Sequence, residues 1–530
     1  MSKRKRTLLI IIGIIVSSII VSSFFVNSII ENKIEALIKD KMPSHIESTH
    51  QSISVNVLGG SATLNKPTFL IYLLDNSAVQ SSIKLESLVI SGVSYWDYLM
   101  NDEIHIRKIK FNQLDFIHYK DRKNPKIDSL SKKPFKLPKP IFINTFEINN
   151  SSISIIENKK DSTLISLSDA TISMEAILLN EKIITQKIPL TYKSISLAAH
   201  SIFLKAGEFE NLNINSLKLE DNTLSISGLH FKTKYSKKEL SKIIEKERDH
   251  INVKAEDVRI NNLDIGFEND SLFVRSNLIS ISEADAKFYR DKLVKDDLKI
   301  KKLYSKSIRE LPIKLTVDSI SIIKSNVSYS EKVHIENPAG VLYIKDITAG
   351  ITNISNTYKS PNKTVILVDA LFMKDTPIKV NWNFDVTKTD DTFEFIGHAG
   401  YLKASDMNTF LTPLLNLKLE GDLKESKFRI IGDYNQSEIS LSQDFDNIKL
   451  TVLNKKKQKN KVLSSMANML IHSDSEKNGE LYHNVTTQAT RDKTKSFFNY
   501  LAKNLKASLL INFTHKNNKV TKKKSNKKKR

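Results

Sequence analysis

The stretch IFINTFEINNSSISII, Ile141 to Ile156, places apolar side chains at Ile141, Ile143, Phe146, Ile148, Ile153 and Ile155. Alternation at every second position marks a β-strand with one face turned to an apolar environment. A one-residue slip of phase separates Ile143 from Phe146 and reads as a bulge, which re-aims a strand and adds twist. The polar pair Asn150-Ser151 then supplies turn residues before the next run.

The spacing recurs. Shifted by 174 residues, the same six places hold Leu315, Val317, Ile320, Ile322, Val327 and Tyr329. Counted from Leu212, they hold Leu212, Ile214, Leu217, Leu219, Leu224 and Ile226. Starts at Ile83, Ile104 and Ile251 each miss once, at Asp97, His118 and Glu256. In all, 33 of 36 places are apolar against about 14 for a chain that is 40% apolar, so the repeat is a design feature.

Asp221-Asn222, Asn261-Asn262 and Ser325-Asn326 fall where Asn150-Ser151 does, so each unit reads as a strand, a turn and a returning strand. The segment Ile53–Phe69, with its Gly59-Gly60 break, reads as a hairpin. In series over residues 44–454, such units give a mainly β fold: a long curled antiparallel sheet with one apolar face. An exposed apolar face of that size is not neutral in water. A second sheet, closure into a barrel, or curling into a trough around something greasy would each cover it, and the periodicity is compatible with all three. The candidate lining is Ile141, Ile143, Phe146, Ile148, Leu212, Ile214, Leu217, Leu219, Leu315, Val317, Ile320 and Ile322.

Helices are few. Ser236 and Glu239 make a capping box before Leu240, Ile243 and Ile244. Residues 455–513 form a C-terminal helical segment after a Lys-rich linker, Lys455 to Lys461. Its first helix carries Val462, Leu463, Met466, Met469 and Leu470 on one side, and its second carries Phe497, Phe498, Leu501, Leu505 and Leu509. The polar stretch Ser473–Lys493 between them reads as a flexible loop.

The remaining signals concern the ends. Thr7 to Ile30 is a run of 24 uncharged residues, about 36 Å as a helix and long enough to cross a bilayer. A signal peptide is the competing reading, but the run is long and lacks a small-x-small cleavage site. Lys3, Arg4, Lys5 and Arg6 precede it, so residues 1–6 are expected in the cytoplasm and the body across the membrane. Ile30, Ile34, Leu37 and Ile38 extend the helix as a stalk over 31–43, where Pro43 ends it. The net charge of +22 is concentrated at the ends, with nine basic residues in the tail 514–530. That tail has no aromatic residue, so it fits a solvated segment or one touching anionic headgroups better than a nucleic-acid interface.

Chemistry is not announced. The chain has no Cys, which excludes disulfides, thiolate metal sites and thiol catalysis. It carries no G-x-S-x-G, no P-loop and no H-E-x-x-H. His45 and His50 are five apart, which is not ligand spacing on a helix, and Asp102-Glu103, Asp296-Asp297 and Asp390-Asp391 read as solvated turns. No catalytic residue, cofactor or metal is expected.

Taken together, the basic N-terminus, single span, stalk and hairpin SISVNVLGGSATLNKPTF, followed by LESLVISGVSYWDYLMNDEIHIRKIKFNQLDFIHY, resemble the start of the AsmA-like envelope proteins of Gram-negative bacteria. LPIKLTVDSISIIKSNVSYSEK and NPAGVLYIKDITAGITNIS resemble their repeated middle units, and Gly397–Tyr434 with the two C-terminal helices resembles their last block. The Lys-rich tail has no counterpart in that pattern. The resemblance implies a non-enzymatic periplasmic protein anchored in the inner membrane and related to bridge-like lipid-transfer proteins. Phospholipid would lie along an apolar β-groove, in outer-membrane biogenesis. The competing reading is an envelope scaffold or assembly factor with a closed β core and protein partners.

Overall fold

A computed structural model describes residues 23, 25–36, 38–40, 42–75, 77–120, 137–157, 162–359, 362–454, 457–477, 480–481 and 484–514. The expected cytoplasmic segment 1–6, most of the expected span 7–30 and the tail from 515 onward lie outside these residues. Among the described residues no helix is long and apolar enough to cross a membrane. Residues 25–36 and 38–40 are helical (α1), as the stalk pattern predicts.

The chain is mainly β and divides into two compact units, residues 1–229 and 230–530. The first holds β1 (Ile46–Thr49), β2 (Ser52–Asn56), β3 (Ser61–Asn65), β4 (Thr68–Tyr72), β5 (Val79–Lys84), β6 (Ser87–Val93), α2 (Tyr95–Met100), β7 (Ile104–Asn112), β8 (Asp115–Tyr119), β9 (Ile141–Glu157), β10 (Ser162–Leu179), β11 (Ser194–Lys205) and β12 (Glu210–Glu220). The boundary falls within β13 (Thr223–Thr233).

The expected hairpin is present, with β2 paired to β3 from Ser52↔Asn65 to Asn56↔Ser61. The expectation of an all-antiparallel sheet is corrected: β7 and β8 both run parallel to β9. They are two halves of one broken strand laid along a single partner. The reading of the polar pairs changes with this. Asp221 and Asn222, both at positive φ, do turn the chain between β12 and β13. Asn150-Ser151, however, lies inside the unbroken strand β9, where the pairing with β10 shifts register between Leu167, Ala170 and Ile172. The bulge thus sits at the polar pair, and the pairing through Ile143↔Ile177 and Phe146↔Met174 carries no inserted residue.

Such breaks line up from strand to strand. Lys66, Gln113, Asn150, Asp169 and Ser201 all take positive φ near 50°. Backbone bonds link one break to the next: Lys66 N to Glu86 O at 2.9 Å, Glu86 N to Asn112 O at 3.0 Å, and Gln113 N to Asn149 O at 2.9 Å. Because each bulge bends its strand, an aligned series creases the sheet along one line, which is how flat pleated strands acquire curvature.

The second unit repeats the plan with α3 (Lys237–Ile243), β14 (Asp249–Asn261), β15 (Asp264–Glu268), β16 (Ser271–Ser282), β17 (Asp285–Asp291), α4 (Tyr304–Arg309), β18 (Lys314–Lys332), β19 (Gly340–Ser355), β20 (Lys363–Phe372) and β21 (Thr376–Asp385). It continues through β22 (Phe393–Ala399), β23 (Leu402–Lys403), α5 (Asn408–Leu415), β24 (Leu417–Gly432), β25 (Gln436–Val452), α6 (Lys461–Met469), the small hairpin β26 (Glu476–Lys477) and β27 (Glu480–Leu481), β28 (Asn484–Thr490) and α7 (Phe497–Phe513). The Ser236–Glu239 capping box forms as expected. Again a broken strand, β16 and β17, lies parallel to one long strand, β18. Asn261-Asn262 is a strand break between β14 and β15, and Ser325-Asn326 is a bulge inside β18; neither is a turn, and Asn262, Glu283 and Lys324 take positive φ. The stretch expected to be a loop, Ser473–Lys493, contains β28, which pairs with β25 from Gln436↔Thr490 to Ser442↔Asn484.

The 174-residue shift is visible atom by atom. Ser151 is buried in the bulge of β9, accepts from Leu114 N at 3.0 Å and donates to Asn149 O at 2.9 Å. Ser325 is buried in β18, accepts from Ala284 N at 3.1 Å and donates to Ile323 O at 3.0 Å. In each unit one hydroxyl satisfies the amide that the strand break would orphan.

Candidate functional site: two apolar rows

Residues directly opposite in a ladder share a face of the sheet. In the first unit the pairs Ile53↔Leu64, Leu64↔Leu88, Leu88↔Phe111, Phe111↔Ile148, Ile148↔Ile172, Ile172↔Leu197 and Leu197↔Leu219 form one unbroken apolar row across the strands. Beyond the crease, Ile155↔Ile165, Ile165↔Leu204 and Leu204↔Leu212 form another.

The second unit has its own row: Ile260, Ile279, Ile320, Ile351, Ile366, Trp382, Phe395, Ile430 and Ile439, each paired with the next. Burial rises along it. Ile260, Ile279, Ile320 and Ile351 are only half-buried. Trp382 is 8% exposed, and Ile430 and Ile439 are 0% exposed, because α4 and α7 lie over that end. There Phe497 stacks on Trp382 at 4.6 Å between centroids, and Tyr304 meets Trp382 edge-on at 5.1 Å. Burial pushes the Tyr500 phenol up to about 12. A second cluster, Leu402, Ala404, Leu423, Phe445 and Ile448, is packed by Phe513 and Ile471. Among the described residues, both contiguous clusters of buried apolar side chains belong to the second unit, and none of the twelve lining candidates is in either.

Those candidates divide by burial. Ile143, Ile214 and Val317 are buried, at 8%, 7% and 4% exposed. Ile141, Phe146, Ile148, Leu212, Leu217, Leu219, Leu315, Ile320 and Ile322 are half-buried. Ile148 and Leu219 stand on one row, while Leu212 stands across the crease. Ile143 also lines a cavity of about 440 Å³ with Phe142, Ile177, Leu178, Tyr192 and Lys193.

The helix α7 differs from its sequence pattern. Its buried side includes Asn504, Ser508 and Asn512 beside Phe497, Tyr500 and Leu501, and Phe498 faces out. Asn504 accepts from Ser437 Oγ at 2.9 Å and donates to Tyr500 O at 2.9 Å.

Among the described residues, the acidic pairs singled out in the sequence are tied into ion pairs. Asp391 is corrected from a solvated turn residue to a buried one, held by Arg309 at 2.7 Å and by Ser305 at 2.9 Å. Asp296 binds Lys495 at 2.8 Å, and Asp297 pairs with Lys301. Asp97, Glu103 and His105 bring oxygen and nitrogen atoms within 4.8 Å of one another. His105 is already engaged on both sides, through Nε2 with Asn144 at 2.8 Å and through Nδ1 with Asp97 at 3.3 Å. Ser94 first and Asn101 next hold the Asp97 carboxyl below its ordinary range.

At the N-terminal end, α1 and α2 meet at one residue. Asn27 Oδ1 accepts from Val57 N at 2.9 Å, and Tyr95 Oη donates to Val57 O at 3.0 Å. Beside this point Trp96, Tyr98, Leu99 and Met100 are exposed, as are Phe25 and Ile29 of α1.

No family model matches this chain, and no curated protein matches it.

Proposed function

We propose that this is an AsmA-like, membrane-anchored lipid-handling protein whose apolar rows hold phospholipid acyl chains. The observation that carries the reading is the half-buried condition of paired apolar side chains such as Ile148, Leu219, Ile279, Ile320 and Ile351. A sheet face of this kind is stable in water when something apolar occupies it, at about 0.8 kcal/mol per buried CH2. Acyl chains fit a creased sheet, with headgroups left at its polar margins. Transfer of this kind makes and breaks no covalent bond, so the chain supplies a path and no chemistry.

The anchor reading, with the N-terminus cytoplasmic and the body periplasmic at the inner membrane, is supported by the uncharged run Thr7–Ile30 and by α2. An exposed Trp, two Tyr, Leu and Met next to the stalk suit the bilayer interface, where amphipathic rings collect.

Detergent-free purification of residues 31–513 followed by native mass spectrometry tests the reading. Stoichiometric phospholipid is expected, and a folded protein of clean apo mass overturns it. The second reading, an envelope scaffold with protein partners, is favoured by the closed C-terminal end, where α4 and α7 fill the row from Trp382 to Ile439. It predicts the apo mass.

A further inference from the structure

The helix α6 is amphipathic in the reverse sense: its polar side faces the protein. Ser464 Oγ accepts from Val452 N at 2.9 Å, Asn468 Oδ1 accepts from Leu450 N at 2.9 Å, and Asn468 Nδ2 donates to Leu450 O at 2.7 Å. These backbone groups belong to β25 past Ser442, where its pairing with β28 has ended. An unpaired sheet edge is a liability, and α6 seals it with side-chain amide and hydroxyl groups. The consequence is that Val462, Leu463, Met466, Met469 and Leu470 all point away from the sheet, with Val462 68% and Met469 75% exposed.

Two features say what covers this face. First, Lys455, Lys456, Lys457, Lys459 and Lys461 immediately precede it in sequence. Second, Thr514 bridges to Ile471, and His472 N donates to Phe513 O at 2.8 Å, so the chain beyond residue 514 departs beside the C-terminal end of α6. That remaining segment holds nine basic residues, no acidic one, and Val520 as its single aliphatic side chain, so it has nothing apolar enough to cover α6 itself. Apolar side chains flanked by dense positive charge match an anionic bilayer: the side chains enter the acyl boundary while the lysines meet phosphate.

We infer that α6 is an interfacial docking helix that seats the C-terminal end of the chain on an anionic lipid bilayer. This does not depend on the groove holding lipid, and its test reads a different site.

The chain has no Cys, so Met466→Cys creates a unique position for an environment-sensitive fluorophore. The full-length labelled chain is placed in phosphatidylcholine nanodiscs and titrated with vesicles of phosphatidylcholine containing phosphatidylglycerol. Emission at position 466 should rise severalfold and shift to the blue, while a label at Ser440→Cys on β25 should not respond. Adding Leu463→Glu and Leu470→Glu should abolish the response with an unchanged thermal melt, since both residues are exposed. Deleting residues 515–530 should raise the lipid concentration needed by about fivefold for each charge that had reached the surface. No response to the anionic vesicles, or an equal response to pure phosphatidylcholine vesicles, overturns the inference.

Discussion

Phe497 lies flat against Trp382, with ring centroids 4.6 Å apart and planes 13° from parallel. This contact is where a row of apolar residues that begins half-buried at Ile260 becomes a closed core. Removing the ring should separate the two regimes. Phe497→Ala is expected to cost about 3–5 kcal/mol, the usual range for a buried aromatic. Ile320→Ala, on the half-buried part of the same row, should cost well under that. Urea unfolding of the two variants checks the order.

Ser151 and Ser325 hold equivalent bulges. Replacing either with Ala leaves an amide, Leu114 N or Ala284 N, without its acceptor. Each change should cost about 1–3 kcal/mol, the penalty for an unsatisfied buried group. Equal losses from the two variants in chemical denaturation would express the repeat in energy; a neutral result for both would show that the hydroxyls are incidental.

His250 gives a pH signature. Burial lowers its pKa below 6.5, with Lys237 adding to this and the bond to Tyr235 O opposing it. The folded state therefore binds the proton less readily than the unfolded chain. Stability from the neutral ring is fully present above pH about 6.5 and is lost as pH falls through the depressed folded value. Melts of the wild type and His250→Gln between pH 7.5 and 5 should diverge, the wild type losing more stability on acidification.

Much of this was legible in the sequence because period-2 alternation reports a sheet face directly. The repeat at 174 residues, the hairpin at Gly59-Gly60 and the Ser236–Glu239 cap all read correctly from local pattern. The polar pairs misled because a bulge and a turn use the same residues. Asn and Ser tolerate positive φ in either, and only pairing partners decide which is made. β28 was hidden because NVTTQAT offers just Val485 and Ala489 as buried alternates. The burial of Asp391 has no local signal because its partner Arg309 lies far away in sequence. The outward apolar side of α6 has the same origin, since helical spacing shows that a face exists but not which face a sheet edge recruits.

The central claim is that half-buried apolar side chains on these rows touch lipid. The most direct measurement is photo-crosslinking in cells with benzoylphenylalanine at Ile148 and at Ile320, and at exposed Thr352, which alternates with Ile351 and so lies on the other face of the sheet, as the control. The account predicts phospholipid adducts, identified by mass, at positions 148 and 320 and none at 352. Folded protein without adducts at 148 and 320, or with equal adducts at all three positions, would contradict it.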